Sequence, residues 1–147
     1  METSPTFATA VGCMDGRSVT PTNKLLREQF GVDYIDAVTR EGMDHFCGIC
    51  TEEEWGRLHK RIVDISVGHH GSRLVAVVGH DDCAGNPVSK EEHLKCIEKS
   101  VERVKGWDFK VKEPVRILGV WVAEHDGHWK AEVVSDTEKK PAMTVAA

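Results

Sequence analysis

The sequence lacks the features that would place the protein in a membrane or on a nucleic acid. Its 147 residues contain no apolar run near the roughly 20 residues that a bilayer-spanning helix needs. Acidic residues outnumber basic ones, 24 to 19, and nucleic-acid partners favour a basic surface instead. The N-terminal "METSPTFATA" has neither a basic start nor a long apolar stretch, so it does not read as a signal peptide. We therefore expect neither a membrane nor a nucleic-acid partner.

Cysteine is also scarce, and its spacing is irregular. The five cysteines are an odd number without the regular pattern of a disulfide framework. This usage fits a reducing compartment, and we expect a cytoplasmic protein. In that setting a cysteine serves as a core residue, a metal ligand or a reactive thiol.

No internal repeat, low-complexity tract or linker divides the chain. Its length suits one domain with one core of ordinary size. We expect a single domain over residues 1–147, with a loose tail from about residue 135.

Short apolar, β-branched segments predict five strands. The last two form a hairpin, because Asp126-Gly127 is a strong turn dipeptide between two apolar runs. The segment "SRLVAVVGH" is continuously apolar, as is typical of a buried parallel strand. The predicted strands lie in "TFATAVGCM", "DYIDAVT", "SRLVAVVGH" and the hairpin "VRILGVWVAEHDGHWKAEVV".

Three amphipathic segments predict helices between these strands. The first is expected to begin at Thr20, with Pro21 at its first position. The second opens with a capping box from Thr51 to Glu54. Its apolar side chains are predicted to share one face: Trp55, Leu58, Ile62 and Ile65. The helical segments are "TPTNKLLREQFG", "TEEEWGRLHKRIVDISVG" and "SKEEHLKCIEKSVERVKG". The order β-α-β-α-β-α-β-β predicts a three-layer α/β/α fold with a mostly parallel sheet and an antiparallel C-terminal hairpin edge.

Potential metal ligands follow two of the strands. Cys13 ends the first strand, and His80 and Cys83 follow the third. In doubly wound sheets these strands are commonly neighbours, and ligands bind at their carboxyl ends. Two thiolates and an imidazole suit zinc, and three protein ligands leave the fourth tetrahedral position open, as in catalytic sites. Taken alone, H-x-x-C after a strand is more often a turn histidine and a core cysteine.

Two motifs give the chain a family resemblance. "CMDGR" matches the C-x-D-x-R motif and "GHDDC" the H-x-x-C motif of β-class carbonic anhydrases, which the sequence resembles from about Thr6 to Val134. The resemblance implies a zinc ion held by Cys13, His80 and Cys83. It also implies reversible hydration of carbon dioxide to bicarbonate by zinc-bound hydroxide.

The resemblance assigns a role to Asp15 and Arg17 as well. In the family, this aspartate either pairs with the arginine or becomes a fourth zinc ligand that closes the site. The presence of Arg17 favours the open site, although an Asp–Arg pair in a turn is often only a surface ion pair. The resemblance further implies a homodimer or a larger even-numbered oligomer, which a short chain and a hairpin edge also favour.

Some departures from the family pattern leave two alternatives open. "VTREGMD" stands where the family has R-N-x-G, and Cys83-Ala84-Gly85 stands where C-G is usual. The first alternative is a zinc hydrolase of carbonyl sulfide or carbon disulfide on the same fold. The second is a non-catalytic zinc-binding domain whose site is closed.

Several other cysteines and histidines receive lesser interpretations. Cys47 and Cys50 have C-x-x-C spacing, but we favour cysteines in a loop or at a helix start, with inward-facing thiols, over a zinc knuckle or redox pair. His69 and His70 could shuttle protons, although solvated histidines at a helix end are more common. No role is assigned to Cys96.

Overall fold

The computed structural model describes residues 4–138, and its centre is a five-stranded sheet. The strands lie in the order β2-β1-β3-β4-β5. All neighbouring pairs are parallel except β4 and β5, which are antiparallel. The mixed sheet confirms the predicted α/β fold. The strands are β1 (Phe7–Gly12), β2 (Tyr34–Thr39), β3 (Leu74–His80), β4 (Arg116–His125) and β5 (His128–Asp136).

Helices cover both faces of the sheet and complete three layers. Helix α1 packs through Leu25 and Leu26 on one face, against Ala76 and Val78 of β3 among others. The other helices pack on the opposite face, where Val75 and Val77 of β3 point. Because both faces are covered, every residue of β3 is buried. The helices are α1 (Gly16–Phe30), α2 (Met43–Ile49), α3 (Glu52–His59), a π-helix (Lys60–His69) and α4 (Lys90–Lys105). Within residues 4–138, no helix is both long and apolar enough to cross a bilayer.

Helix α1 begins earlier than predicted, which matters for the site. Asp15, not Thr20, is the N-cap, and its carboxylate accepts from the Arg17 backbone N–H at 2.9 Å. Pro21 therefore lies inside the helix. An Asp at the N-cap satisfies an otherwise unpaired backbone donor. Pro21 favours a later start in the sequence, because proline marks helix starts often but not always.

The second predicted helix has the expected start but a different continuation. The Thr51–Glu54 capping box is present. Helix α3 then widens into the π-helix, where backbone hydrogen bonds join residues five positions apart. The His70 N–H, for example, donates to the Ile65 carbonyl at 2.9 Å. The wider turn rotates the apolar face, so Ile65 is 45% exposed although Ile62 is buried. The prediction that Ile65 shares the buried face is therefore wrong.

Helix α2 was not predicted, and it brings "CGIC" into the core. It has only seven residues and includes Gly48, so its periodicity is too short to recognise. The Cys47 and Cys50 thiols are buried, as an inward-facing interpretation requires. Arg103 of α4 donates to the backbone carbonyls of both residues, at 3.3 and 3.1 Å. Cys47 lies within α2 and Cys50 is its C-cap, so the predicted location in a loop or at a helix start is wrong.

The C-terminal hairpin forms as predicted but extends further. Asp126 and Gly127 both adopt left-handed backbone angles, with φ of 51° and 81°, as a tight hairpin turn requires. Strand β5 continues to Asp136, which accepts from Arg116 at 2.6 Å. The loose tail predicted from about residue 135 lies outside the described residues from residue 139 onward.

Candidate metal centre

The sheet topology brings the three potential ligands together. Because β1 and β3 are parallel neighbours, Cys13 after β1 and His80 at the end of β3 lie at the same sheet edge. The loop after β3 then places Cys83 beside them. The two sulfur atoms and a ring nitrogen of His80 all lie within 4.8 Å of one another, and all three residues are buried. The sequence therefore identified a real cluster of donor atoms.

The orientation of His80 fits a metal ligand. Its Nδ1 lies 2.7 Å from the Asp81 carbonyl oxygen. Because a carbonyl only accepts, Nδ1 carries the proton and Nε2 has a free lone pair. Nε2 is buried and has no hydrogen-bond partner among residues 4–138. Such an orphaned acceptor is uncommon in a protein interior, and a metal ion beside two thiols would satisfy it.

The groups around Cys83 have opposite effects on the pKa of its thiol. Burial raises the pKa of Cys83, and the neighbouring Cys13 raises it further. Hydrogen bonds from the backbone N–H groups of Asn86, Gly85 and Gly42 act in the opposite direction. A divalent cation would favour the thiolate strongly, since the thiolate is the form that binds metal. Two soft sulfur donors and one imidazole are a set that zinc prefers.

Asp15 and Arg17 form a two-pronged ion pair next to the cluster. Arg17 Nη2 donates to Asp15 Oδ2 at 2.7 Å, and Arg17 Nε lies 3.1 Å from Oδ1. Chiefly through this side-chain hydrogen bond, Arg17 lowers the pKa of Asp15 from 3.8 to about 2. His80 adds a smaller favourable electrostatic contribution. The Asp15 carboxylate is thus ionised at neutral pH and held in one orientation.

Arg17 also reaches two groups that sequence reasoning missed. Its Nη1 donates to Asp82 Oδ2 and its Nη2 to the Asp82 carbonyl, both at 3.1 Å. Its guanidinium carbon lies 4.7 Å from the centre of the Trp129 ring on β5. Asp82 stands in the metal-ligand motif itself, but no sequence pattern relates it to Arg17. Arg17 therefore connects the start of α1 with the loop after β3, here called the ligand loop, and with the edge strand β5.

The histidines suggested as proton shuttles lie elsewhere. His70 Nδ1 pairs with Asp36 at 2.7 Å, and its ring stacks on Phe7 at 4.7 Å. Phe7 is the first residue of β1, whereas Cys13 follows the last, and a six-residue strand is about 20 Å long. The structure thus separates His70 from the metal-ligand cluster.

The fold and this cluster define a metal-dependent α/β protein whose donor set is one that zinc prefers, with one tetrahedral position left for another ligand. Residues 3–135 match the family described as "Putative carbonic anhydrase". The match covers most of the sequence, and the chain belongs to this family of zinc lyases. The comparison with curated protein sequences gives no match.

Solved structures show the same fold. A carbonic anhydrase from Glaciozyma antarctica is similar over 86% of this chain and 83% of its own, with 19% identity and a TM-score of 0.52. A β-carbonic anhydrase from Sordaria macrospora, one of two described as tetrameric, is similar over 92% of this chain and 84% of its own. Its identity is 12% and its TM-score 0.56. The architecture is therefore that of the β-class.

Proposed function

We propose that the protein catalyses the reversible hydration of carbon dioxide to bicarbonate at a zinc ion held by Cys13, His80 and Cys83. The observation that carries this proposal is the buried cluster of two sulfurs and one unpartnered imidazole nitrogen within 4.8 Å. Membership of a carbonic anhydrase family supports it. When bound, zinc supplies a Lewis acid that lowers the pKa of a coordinated water towards about 7.

The protein groups around the cluster would fix the ligands in advance. The Asp81 carbonyl keeps the His80 ring in the tautomer that offers Nε2. Burial of all three side chains excludes competing water from the ligand atoms. The three residues would therefore present their donor atoms with little rearrangement.

Asp15 and Arg17 would keep the fourth position available to substrate. A free carboxylate beside zinc is itself a good ligand, and binding of Asp15 would close the site. Both Asp15 oxygens are engaged by Arg17, at 3.1 and 2.7 Å, and Oδ1 also accepts the Arg17 backbone N–H. Held in this way, the carboxylate can accept a hydrogen bond from a solvent molecule at the open position. This geometry supports an open site over the non-catalytic alternative.

Carbonyl sulfide and carbon disulfide are the alternative substrates to carbon dioxide. The segment that replaces the family's R-N-x-G packs directly on the ligand loop, because a Cβ at Gly42 would overlap the Gly85 carbonyl oxygen. A difference there can alter the pocket beside Cys83. This contact keeps a sulfur-substrate hydrolase as the second candidate.

One experiment tests the proposal and its alternative together. Stopped-flow hydration of carbon dioxide is measured on zinc-loaded protein, beside hydrolysis of carbonyl sulfide and carbon disulfide, with Cys83→Ala as a matched control. We expect zinc-dependent hydration that the variant lacks. Hydrolysis of a sulfur substrate without hydration would support the alternative. Zinc-loaded protein inactive on all three substrates would overturn the enzymatic proposal.

The protein would function as a homodimer or a larger even-numbered oligomer. The outer side of edge strand β2 has no partner strand among residues 4–138, and Tyr34 on it is 54% exposed. Met14, next to Cys13, is 66% exposed, so the approach to the cluster is open to a second subunit. The tetrameric enzymes of Sordaria macrospora give a precedent on this fold.

We also propose that the protein is cytoplasmic. All five cysteines are free thiols. Thiols persist in a reducing compartment, whereas an oxidising one favours disulfides. The donor atoms of Cys13 and Cys83 would remain available to zinc there.

A further inference from the structure

A buried polar network lies behind the ligand loop and has no part in the chemistry above. It consists of Asp44 on α2, Asn86 in the loop after β3 and His93 on α4. Their exposed fractions are 2%, 5% and 0%. His93 Nδ1 lies 2.6 Å from Asp44 Oδ2, and Asn86 Nδ2 donates to Asp44 Oδ1 at 3.1 Å. The network joins three elements that are distant in sequence.

The Asp44 carboxylate is the centre of this network. Besides its two side-chain partners, it accepts the His45 backbone N–H at 3.1 Å. A carboxylate removed from water is costly unless such partners satisfy it, so the arrangement fixes their positions closely. A Cβ at Gly79 would lie 2.7 Å from Asp44 Oδ2. The glycine before His80 thus leaves the space that the carboxylate occupies.

The same elements meet at the loop that carries Cys83. Gly42 is the N-cap of α2, two residues before Asp44, and Gly42 and Gly85 are in tight backbone contact. The Asn86 N–H donates to the Cys83 carbonyl at 3.3 Å. The Asp44–Asn86 hydrogen bond therefore links the start of α2 to the loop backbone that holds Cys83.

We propose that Asp44, Asn86 and His93 are positioning residues that hold the start of α2 against the ligand loop and thereby fix the position of Cys83 in that loop. The inference rests on zinc binding by Cys83 in the proposed function. His93 orients the Asp44 carboxylate. The Asn86 side chain donates to that carboxylate and so holds the ligand loop against α2. Groups that orient metal ligands in this way typically contribute 10–100-fold to metal affinity.

Zinc affinity of matched variants tests the network. Asn86→Ala removes the side-chain hydrogen bond to Asp44 but keeps the Asn86 backbone N–H, which donates to the Cys83 carbonyl. Ser100→Ala is the control, because this buried hydroxyl donates to the Asp44 backbone carbonyl at 2.6 Å and not to its carboxylate. We expect chelator competition to show zinc binding weakened 10–100-fold in Asn86→Ala. Ser100→Ala should keep wild-type affinity, although both changes lower the stability of the fold.

Replacement of zinc by cobalt gives an absorption spectrum that would not change if the network only stabilised the fold. The sulfur-to-cobalt charge-transfer band reports the geometry of the thiolate ligands, and it should shift in Asn86→Ala but not in Ser100→Ala. Asp44→Asn keeps the side-chain volume and serves as a second variant with the same expected shift. Wild-type zinc affinity and spectra in Asn86→Ala and Asp44→Asn would overturn the inference. Absence of zinc binding in the wild type would instead overturn the proposed function.

Discussion

Replacement of Arg17 by alanine should separate metal binding from activity. Arg17 is not among the three potential ligands, so Arg17→Ala should retain its zinc. The Asp15 carboxylate loses the guanidinium that engages both its oxygens. It remains ionised at neutral pH, because even its ordinary pKa is 3.8. A free carboxylate beside zinc should then take the fourth position and exclude substrate.

The structure sets the size of this effect. A pKa of about 2 in place of 3.8 means that the surroundings favour the ionised carboxylate by somewhat less than a hundredfold, because each pKa unit is a factor of ten. Arg17 is the largest source of this preference. The Arg17 side chain is 42% exposed, so solvent screening reduces the factor to about tenfold. We therefore expect the closed site to gain about tenfold and kcat to fall by up to that factor.

The assay combines stopped-flow hydration, zinc stoichiometry and X-ray absorption at the zinc edge. Arg17→Ala should show full zinc, low kcat and an added carboxylate oxygen at the metal. Arg17→Lys should rescue little, because lysine lacks the planar fork that engages both oxygens. Asp15→Ala should keep an open zinc but lose orientation of the coordinated solvent, so its zinc coordination should differ from that of Arg17→Ala. Arg27→Ala, an exposed arginine in the last turn of α1, is the matched control.

Wild-type kcat in Arg17→Ala and Asp15→Ala, with unchanged zinc coordination in both, would refute this reasoning. The pair would then be a surface ion pair and the start of α1 a cap without a catalytic role.

Three further predictions concern metal content, assembly and acid stability. Elemental analysis should find one zinc per chain, which His80→Ala and Cys83→Ala should each lose; full zinc in both variants would refute the ligand assignment. Light scattering at micromolar concentration should give an even multiple of the 16.3 kDa chain, and an active monomer would contradict the proposed assembly. Because the folded pKa of Asp15 is depressed, its pairing stabilises the fold above about pH 4 and the effect is lost as pH falls towards 2. The difference in unfolding free energy between the wild type and Arg17→Ala should therefore shrink over that interval, and a constant difference would argue against the pairing.

Two local predictions are wrong for the same physical reason. Pro21 predicts that α1 starts at Thr20, whereas Asp15 is the N-cap. A helical period of 3.6 residues predicts that Ile65 lies on the buried face, whereas the helix widens there. In both cases a local rule was correct in general, and the surrounding chain selected a different local geometry.

The sequence by itself determined the layered fold and the three potential metal ligands. Apolar runs that end at Cys13 and at His80 predict parallel strands, and the carboxyl ends of neighbouring parallel strands must meet at one sheet edge. This consequence needs no knowledge of side-chain packing. The ligand cluster could therefore be predicted from the two motifs together with the usual order of strands in doubly wound sheets.

Only the tertiary structure decided what surrounds that cluster. The contacts of Arg17 with Asp82 and the pairing of Asp44 with His93 join residues 65 and 49 positions apart. His93 lies four residues before Ile97, on the buried face of α4, so its burial could have been read from periodicity. Its partner could not be predicted in this way. A hydrogen bond between side chains depends on differences in distance of a few tenths of an ångström, and packing sets those distances. Motif spacing determines which atoms can meet a metal, whereas packing determines how they are held.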